Sequence, residues 1–215
     1  MVIFGGIDIA IVQEPAYHLQ LWGFQLRHWW TRRGLGFPVN LPNGRLFFRQ
    51  STGRLSDGRL LIDFLCQSLN ASFLSPYMDS LGGSRFTNGA NFAVVGSSTL
   101  PKTAPFMPKM RSQLTGATIV YVDMYSIKYD LIANSSKYGF SNPLMACCGF
   151  GGAPYNYNIK VTCGQPGYQV CDEGSKFLSW DGIHYTEAAN AIIASKVLST
   201  AYSSPRALFD FFCRN

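Results

Sequence analysis

The sequence predicts an α/β domain built on a parallel sheet. Strand-like, loop-like and helix-like segments alternate along the chain, which is the order found in α/β domains. One segment, residues 117–122 (Ala-Thr-Ile-Val-Tyr-Val), is continuously apolar or β-branched, without alternating polar residues. Such runs are typical of parallel strands that are covered on both faces of the sheet. Because catalytic groups gather at the carboxyl ends of the strands in these sheets, we expect a site there.

The first half of the chain predicts one helix and one strand after an atypical start. Residues 1–41 mix apolar, aromatic and basic side chains without a sustained period. A turn-rich loop at 53–59 precedes apolar residues at helical spacing, so we predict a helix over 60–69 with Asp57 as its N-cap. Residues 91–95 (Asn-Phe-Ala-Val-Val) predict a short buried strand.

The second half predicts two helices separated by a long irregular segment. A helix over 124–133 follows the central strand, and it has apolar side chains on one side. These are Tyr125, Tyr129 and Ile132. Residues 134–180 are rich in glycine, asparagine, tyrosine and cysteine, which predicts loops. The last helix is predicted from about Thr186 to Ala201, with an apolar stripe along one face. The stripe consists of Ala189, Ile192, Ile193 and Val197.

Length and charge limit the classes of protein to which the chain can belong. At 215 residues it is expected to form one domain with a sizeable core. Its formal charge of +6 is scattered along the sequence, which argues against a nucleic-acid-binding protein. The basic cluster at 27–33 leaves open a role in binding anionic lipid or nucleic acid. No run approaches the about 18 apolar residues of a transmembrane helix, so we predict no integral membrane segment.

Cysteines and glycosylation sequons favour an extracellular protein. Four of the six cysteines fall within residues 147–171 without a histidine at metal-ligand spacing, which favours disulfides over zinc. Three pairings of these four are possible. Cys66 lies in an apolar run and is expected to be a buried thiol, and Cys213 has no evident partner. Sequons begin at Asn70 and Asn134, whereas the first residues lack the basic region of a secretory signal.

The motif with the clearest chemistry is an Asp-Gly-Ile-His sequence directly ahead of the last predicted helix. Asp181 and His184 are its first and last residues. An aspartate at this spacing can hold one imidazole nitrogen while the other nitrogen takes a proton from a nucleophile. The pair would supply two thirds of a hydrolytic triad. The candidate hydroxyls Ser56, Ser97 and Ser98 do not lie in the Gly-x-Ser-x-Gly turn that exposes the serine of α/β-hydrolases.

Five motifs stand in the order that one known family shows. They are Gly-Arg-Leu-Ser-Asp-Gly-Arg at 53–59, Gly-Ala-Asn-Phe-Ala-Val-Val-Gly at 89–96, Ala-Thr-Ile-Val-Tyr-Val-Asp at 117–123, Cys-Cys-Gly at 147–149 and Asp-Gly-Ile-His-Tyr-Thr-Glu-Ala-Ala at 181–189. Over residues 42–215 the chain resembles a plant GDSL esterase/lipase of the SGNH hydrolase superfamily. Each motif is modest support by itself, and the shared order makes the resemblance specific.

The resemblance implies a three-layer α/β/α fold of flavodoxin-like type and hydrolysis of carboxylic esters. It assigns the triad acid to Asp181, the base to His184 and an oxyanion-hole N–H to Gly96. The family's serine in Gly-Asp-Ser and asparagine in Gly-x-Asn-Asp have no counterpart in this sequence, so the nucleophile is unknown. The family's long segment between Gly96 and the 117–122 strand is also missing, which predicts an incomplete sheet and an internal deletion near residues 101–116.

We therefore expect a GDSL-type ester hydrolase whose activity is impaired in this chain. The alternative is a non-catalytic paralogue that binds esters or glycans without hydrolysing them. The expected ligand is a small ester or acylated molecule, with no metal, organic cofactor or nucleic-acid partner, and the oligomeric state is open. The family, the sequons and the clustered cysteines predict a secreted protein. Tyr155 and Tyr157 are expected either to line a substrate groove or to pack over the cysteine-rich loop.

Overall fold

The computed structural model describes residues 9–13, 20–21, 39–76, 90–91, 112 and 118–206. The chain divides into two compact units, which are described separately. The first unit comprises residues 1–26, 62–127 and 194–215, and the second comprises residues 27–61 and 128–193.

Short strands and three α-helices make up the regular structure of the described residues. The strands are β1 (Ile9–Gln13), β2 (Gln20–Leu21), β3 (Ser75–Pro76), β4 (Ala90–Asn91), β5 (Thr118–Val122), β6 (Cys148–Gly149), β7 (Gln169–Val170) and β8 (Ser203–Ser204). The α-helices are α1 (Leu61–Ser68), α2 (Met124–Ala133) and α3 (Glu187–Leu198), and a 3₁₀ turn spans Ser135–Tyr138. The described residues thus mix both kinds of element, as the α/β class requires.

The first unit contains a sheet in the order β1-β5-β8. Its central strand, β5, confirms the strand predicted at 117–122, but both neighbours run antiparallel to it. Ile9 pairs with Val122 on one side, and Tyr121 pairs with Ser204 on the other. The parallel neighbours predicted for this strand are therefore not found. A continuous apolar run reports burial of both faces, whereas chain connectivity decides the direction of the neighbouring strands.

Parallel pairing occurs in a second small sheet of the first unit, ordered β2-β4-β3. Ala90 of β4 pairs in parallel with Gln20 and with Ser75. β4 overlaps the start of the strand predicted at 91–95. The rest of that strand and Gly96 lie outside the described residues.

The helices predicted at 60–69 and 124–133 are both confirmed. α1 buries Leu65 and Cys66, and Cys66 is a free thiol, as predicted. The carboxylate of Asp123 accepts the Ser126 N–H at 2.9 Å and so caps the first turn of α2. The apolar side chains that were predicted to share one side of α2 form its exposed side: Tyr125, Tyr129 and Ile132.

Two disulfides and a tryptophan form a buried cluster within the second unit. Cys147 pairs with Cys171, and Cys148 pairs with Cys163, which decides among the three possible pairings. The Trp180 ring is fully buried in the same cluster. β6 and β7 are antiparallel and place Cys148 opposite Val170. The long loop region is therefore irregular in secondary structure but cross-linked at its centre.

α3 confirms the helix predicted at the end of the chain, with observed bounds Glu187–Leu198. The Thr186 hydroxyl accepts the Ala189 N–H at 3.3 Å, so Thr186 is the N-cap. Ala189, Ile193 and Val197 of the predicted stripe are buried, and Ile192 is half-buried.

The described parts of the chain contain neither a membrane-spanning helix nor a metal-binding cluster. There, no helix has the length and apolar character needed to span a membrane. No cluster of three or more histidine, cysteine, aspartate or glutamate side chains in those residues could hold a metal ion. The basic cluster at 27–33 and Cys213 lie outside the described residues.

Candidate active site

The Asp-Gly-Ile-His motif forms a closed loop in which the aspartate and the histidine are in contact. Oδ2 of Asp181 lies 2.7 Å from Nδ1 of His184. The Trp180 N–H donates to the His184 carbonyl oxygen at 2.8 Å, which closes the backbone around the pair. The imidazole is only 6% exposed. The two side chains singled out in the sequence are therefore brought together in a sheltered position.

The second carboxylate oxygen of Asp181 organises the backbone of the same loop. Oδ1 accepts the Ile183 N–H at 3.0 Å and the His184 N–H at 2.8 Å. The Gly182 N–H donates to the Ser179 hydroxyl oxygen at 3.1 Å. Asp181 thus fixes both the backbone that carries the histidine and the orientation of its ring.

Gly182 is required at its position for two independent reasons. Its φ of +89° lies in the left-handed region, which side chains of L-residues rarely adopt. A Cβ at this position would also overlap Cδ2 of Tyr157 and lie 3.1 Å from Cγ of that ring. The Tyr157 ring is 44% exposed, so it covers the loop from the solvent side.

The electrostatics of the pair favour an ionised aspartate, which accepts a hydrogen bond from Nδ1 of His184. Burial by itself raises the pKa of the Asp181 carboxyl, but the bond to His184, the histidine charge and the backbone N–H bonds lower the pKa below its ordinary value. An ionised carboxylate can only accept, so Nδ1 of His184 carries the proton that it donates. In the imidazole tautomer with its single proton on Nδ1, Nε2 has a lone pair, and within the described residues no hydrogen bond occupies that nitrogen. Such a nitrogen can act as a base.

The disulfide core holds the loop at its N-terminal end. The Cys148 N–H donates to the Trp180 carbonyl at 2.6 Å, and the Cys147 N–H donates to the Ser179 carbonyl at 3.0 Å. The Trp180 indole N–H donates to Oδ1 of Asn43 at 2.9 Å. The residue directly before Asp181 is therefore fixed through both its backbone and its ring.

A buried carboxylate holds the loop at its C-terminal end. Oδ1 of Asp57 accepts the Glu187 N–H, the first backbone donor of α3, at 2.6 Å. Asp57 was predicted to cap the helix over 60–69, and this prediction is wrong, because its carboxylate binds a helix that lies far away in sequence. Capping propensity identifies the residue type but cannot tell which helix end is nearby in space. Burial raises the pKa of Asp57 above its ordinary value.

Charged residues around Asp57 are structural rather than solvated. Arg54 is 1% exposed and stacks on the Phe48 ring at 4.2 Å. The Arg59 guanidinium donates to the Glu187 carboxylate, and the Arg59 carbonyl accepts from Asn190 Nδ2 at 3.1 Å. The turn-rich loop at 53–59 therefore packs against the start of α3 through Arg59.

The other predicted site residues are not joined to the pair by this structure. Gly96, Ser97 and Ser98 lie outside the described residues. Ser56 is fully buried, and its hydroxyl bonds within its own loop to Asp57 at 3.3 Å. Tyr155 is 57% exposed.

Sequence reasoning missed Asn43 and Trp180 as parts of the site. Both side chains are buried, Asn43 to 2% exposure and Trp180 completely. Trp180 could have been noticed because it directly precedes the motif and a buried indole N–H needs an acceptor. Nothing in the sequence around Asn43 indicates a partner 137 positions away.

A buried histidine oriented by a carboxylate is the arrangement that hydrolases use when they transfer acyl groups through an acid–base pair. Comparison with known proteins gives the family. The family model described as GDSL-like Lipase/Acylhydrolase matches residues 22–107 and 100–197. The chain belongs to this family and is by family a carboxylic ester hydrolase of the esterase/lipase kind.

Similar proteins come from plants. The GDSL esterase/lipase LIP-4 of Arabidopsis thaliana is 40% identical over 316 aligned positions, which cover 84% of this chain and 85% of that protein. The GDSL esterase/lipase ENOD8 of Medicago truncatula is 27% identical, covering 80% of this chain and 83% of that protein. An esterase of Hevea brasiliensis is 25% identical, covering 82% and 84%. No solved structure matches the chain.

Proposed function

We propose that Asp181 and His184 are the acid and base of a Ser-His-Asp ester hydrolase site, with the Gly96 N–H as one oxyanion-hole donor. The observation that carries this proposal is the 2.7 Å contact between Oδ2 and Nδ1, with the carboxylate held by two further backbone bonds. Family membership supports the assignment. For the fold we propose the three-layer α/β/α arrangement of flavodoxin-like type, with the family's parallel sheet incomplete in this chain.

The geometry of the pair fits one sequence of proton transfers. Nε2 of His184 takes the proton of a nucleophilic hydroxyl while that oxygen attacks the ester carbonyl carbon. Asp181 stabilises the imidazolium that forms. The imidazolium then returns the proton to the alcohol oxygen as its bond to the acyl carbon breaks. Water, activated by the same nitrogen, attacks the acyl-enzyme, which releases the acid and restores the hydroxyl. The substrate is a small-molecule ester.

We further propose that this 215-residue chain lacks the middle of the family domain and is impaired. The sequence has neither Gly-Asp-Ser nor an Asn-Asp pair. The alignment with LIP-4, at 316 positions, is longer than the chain itself, so part of that relative aligns with a gap. The two family matches meet at residues 100–107, which supports a deletion near 101–116. On this proposal residues 1–41 are an atypical segment ahead of the family domain at 42–215. The first family match begins within that segment, at residue 22.

Ester turnover and active-site labelling test both proposals. We expect hydrolysis of p-nitrophenyl acetate by the purified chain to be close to that of the H184Q variant, because loss of a serine nucleophile costs about 10⁶ in kcat. A fluorophosphonate probe should label no serine. Robust turnover with one labelled serine would show that the chain is not impaired. If that turnover survives H184Q unchanged, the role of His184 is refuted as well.

Thermal unfolding in the presence of ligands tests the alternative of a binding protein. A rise in Tm with acylated phenolics, sugars or lipids, but without their hydrolysis, would favour a non-catalytic ester- or glycan-binding paralogue. Unchanged Tm across these ligands would count against it.

We propose that the protein is secreted. The two disulfides persist in oxidising compartments, and Asn70 and Asn134 of the sequons are both exposed. Expression in plant cells should place the chain in the apoplast with a mass that decreases on treatment with PNGase A. An intracellular chain with free thiols would contradict this.

A further inference from the structure

We propose that Asn43 and Asp57 are positioning residues that hold the Asp181–His184 pair from the two ends of its loop. This inference rests on the proposed function only for its catalytic meaning. The contacts themselves lie within the second unit and can be tested without turnover.

The first contact acts through the residue that precedes Asp181. Oδ1 of Asn43 accepts the Trp180 indole N–H at 2.9 Å, and the Asn43 amide nitrogen donates to the Asn40 carbonyl at 2.8 Å. The two bonds together fix which way the amide points. Because the Trp180 backbone also closes the loop onto His184, a shift of the indole would move the peptide that carries Asp181.

The second contact acts through the residue that begins α3. Asp57 accepts the Glu187 N–H at 2.6 Å, while Thr186 donates its backbone N–H to the Leu178 carbonyl at 3.1 Å and its hydroxyl to the Phe177 carbonyl at 2.7 Å. The backbone two to three residues after His184 is therefore fixed from both sides. These bonds restrict movement of the backbone that carries the imidazole.

Asn43 and Asp57 belong to one braced loop, residues 43–59, which we call the 43–59 segment. The Gly44 N–H donates to the Ser56 carbonyl at 2.8 Å, and the Leu46 N–H donates to the Asp57 carbonyl at 2.8 Å. Between them, the Arg45 guanidinium donates to the Cys171 carbonyl at 2.7 Å and lies 5.4 Å from the centre of the Trp180 ring. The contacts of Asn43 and Asp57 therefore come from one hydrogen-bonded segment, and this segment sets the distance between the two ends of the site loop.

The expected consequence concerns the geometry of the pair rather than its existence. A displacement of about 1 Å at a catalytic group can reduce the rate about 100-fold. Local bonds from Asp181 bring the two side chains together, and the 43–59 segment holds the backbone on both sides of the loop so that the contact between Oδ2 and Nδ1 keeps its 2.7 Å geometry. Asn43 and Asp57 act through Trp180 and Glu187, and we assign neither of them a contact with the reacting atoms.

NMR of the labelled whole chain tests this inference. The readouts are the imidazole ¹⁵N shifts of His184, which report the share of the Nδ1–H form, and the ¹³Cγ titration of Asp181. Signals are assigned with H184Q and D181N. In N43L and D57A we expect the Nδ1–H share to fall and the Asp181 pKa to rise toward its ordinary value. D57N should keep wild-type readouts, because its amide oxygen still accepts the Glu187 N–H.

A matched control separates positioning from general loss of stability. The I193A variant removes a buried side chain of α3 that is not part of these contacts, so it should lower Tm without changing either readout. Wild-type signals in folded N43L and D57A would overturn the inference, as would equal changes in I193A. If N43L does not fold, W180F removes the same hydrogen bond and decides the question. Confirmed contacts together with robust ester turnover that survives H184Q unchanged would refute the catalytic role of His184 and leave the positioning contacts standing.

Discussion

Replacing Gly182 by alanine tests how tightly the site loop is built. The substitution places a methyl group on a residue whose φ is +89° and whose Cα faces the Tyr157 ring. It leaves every charged and hydrogen-bonding group of the Asp181–His184 pair unchanged. Any effect therefore comes from backbone strain and from the clash with the ring.

The two costs can be assigned separately. A non-glycine residue in the left-handed region costs about 1–2 kcal/mol. Overfilling a packed position costs about 1–3 kcal/mol more, because either the Tyr157 ring or the loop must shift. The expected loss in the free energy of unfolding is thus about 2–5 kcal/mol. Gly174 supplies a matched control, since its φ is +88° but no atom would lie within 4 Å of its Cβ. G174A should lose only the strain, about 1–2 kcal/mol.

Urea unfolding followed by circular dichroism gives the unfolding free energies of the wild type, G182A and G174A. Adding Y157A to G182A should remove the clash and leave only the backbone strain. The loss of unfolding free energy from Y157A to Y157A/G182A should therefore approach the loss from wild type to G174A. Equal losses in G182A and G174A would refute the claim that Tyr157 packs on the loop. No loss in either variant would refute the assignment of left-handed backbone at both positions.

Three further predictions follow from the contacts of the second unit. Because the folded-state pKa of Asp181 lies below its ordinary value, its contribution to stability is present above about pH 4 and is lost as pH falls through the folded value. The difference in unfolding free energy between wild type and D181N should therefore shrink in urea titrations below pH 4, and a constant difference would contradict this. The double variant C147S/C171S should lose about 3 kcal/mol of unfolding free energy, since that bond closes a separation of 24 residues, and a loss below about 1 kcal/mol would show that this disulfide contributes little. T186A should lower the unfolding free energy by about 1 kcal/mol and T186S should restore it, because only the hydroxyl caps α3; an equal loss in both variants would argue for the methyl group instead.

The local character of these contacts explains how an acid–base pair can stand in a chain without a recognisable nucleophile. Asp181 forms its bonds to His184 and Ile183 inside one loop. The disulfides and the 43–59 segment that hold this loop belong to the same unit. The missing Gly-Asp-Ser and Gly-x-Asn-Asp motifs are not needed for any of these contacts. The proposed loss of the nucleophile would therefore not by itself disrupt the contact between Asp181 and His184.

The sequence alone predicted the elements whose signals are local. Apolar periodicity indicated the α-helices α1, α2 and α3 of the described residues, and the β-branched run at 117–122 indicated β5. The Asp-x-x-His spacing predicted the contact of Asp181 with His184, because residues three positions apart in a tight turn meet without help from distant chain. The burial of Cys66 followed from its apolar neighbours. The ordered motifs together identified the family, which the comparisons confirm.

Only the tertiary structure decided which distant residues meet. The antiparallel neighbours of β5, the pairing of Cys147 with Cys171, and the capping of α3 by Asp57 all join segments whose sequences carry no record of their partner. A local pattern reflects what a residue needs, such as burial, an acceptor or a thiol partner. Chain connectivity and packing choose which group meets that need, and at Asp57 and Asn43 this choice places the candidate acid–base pair.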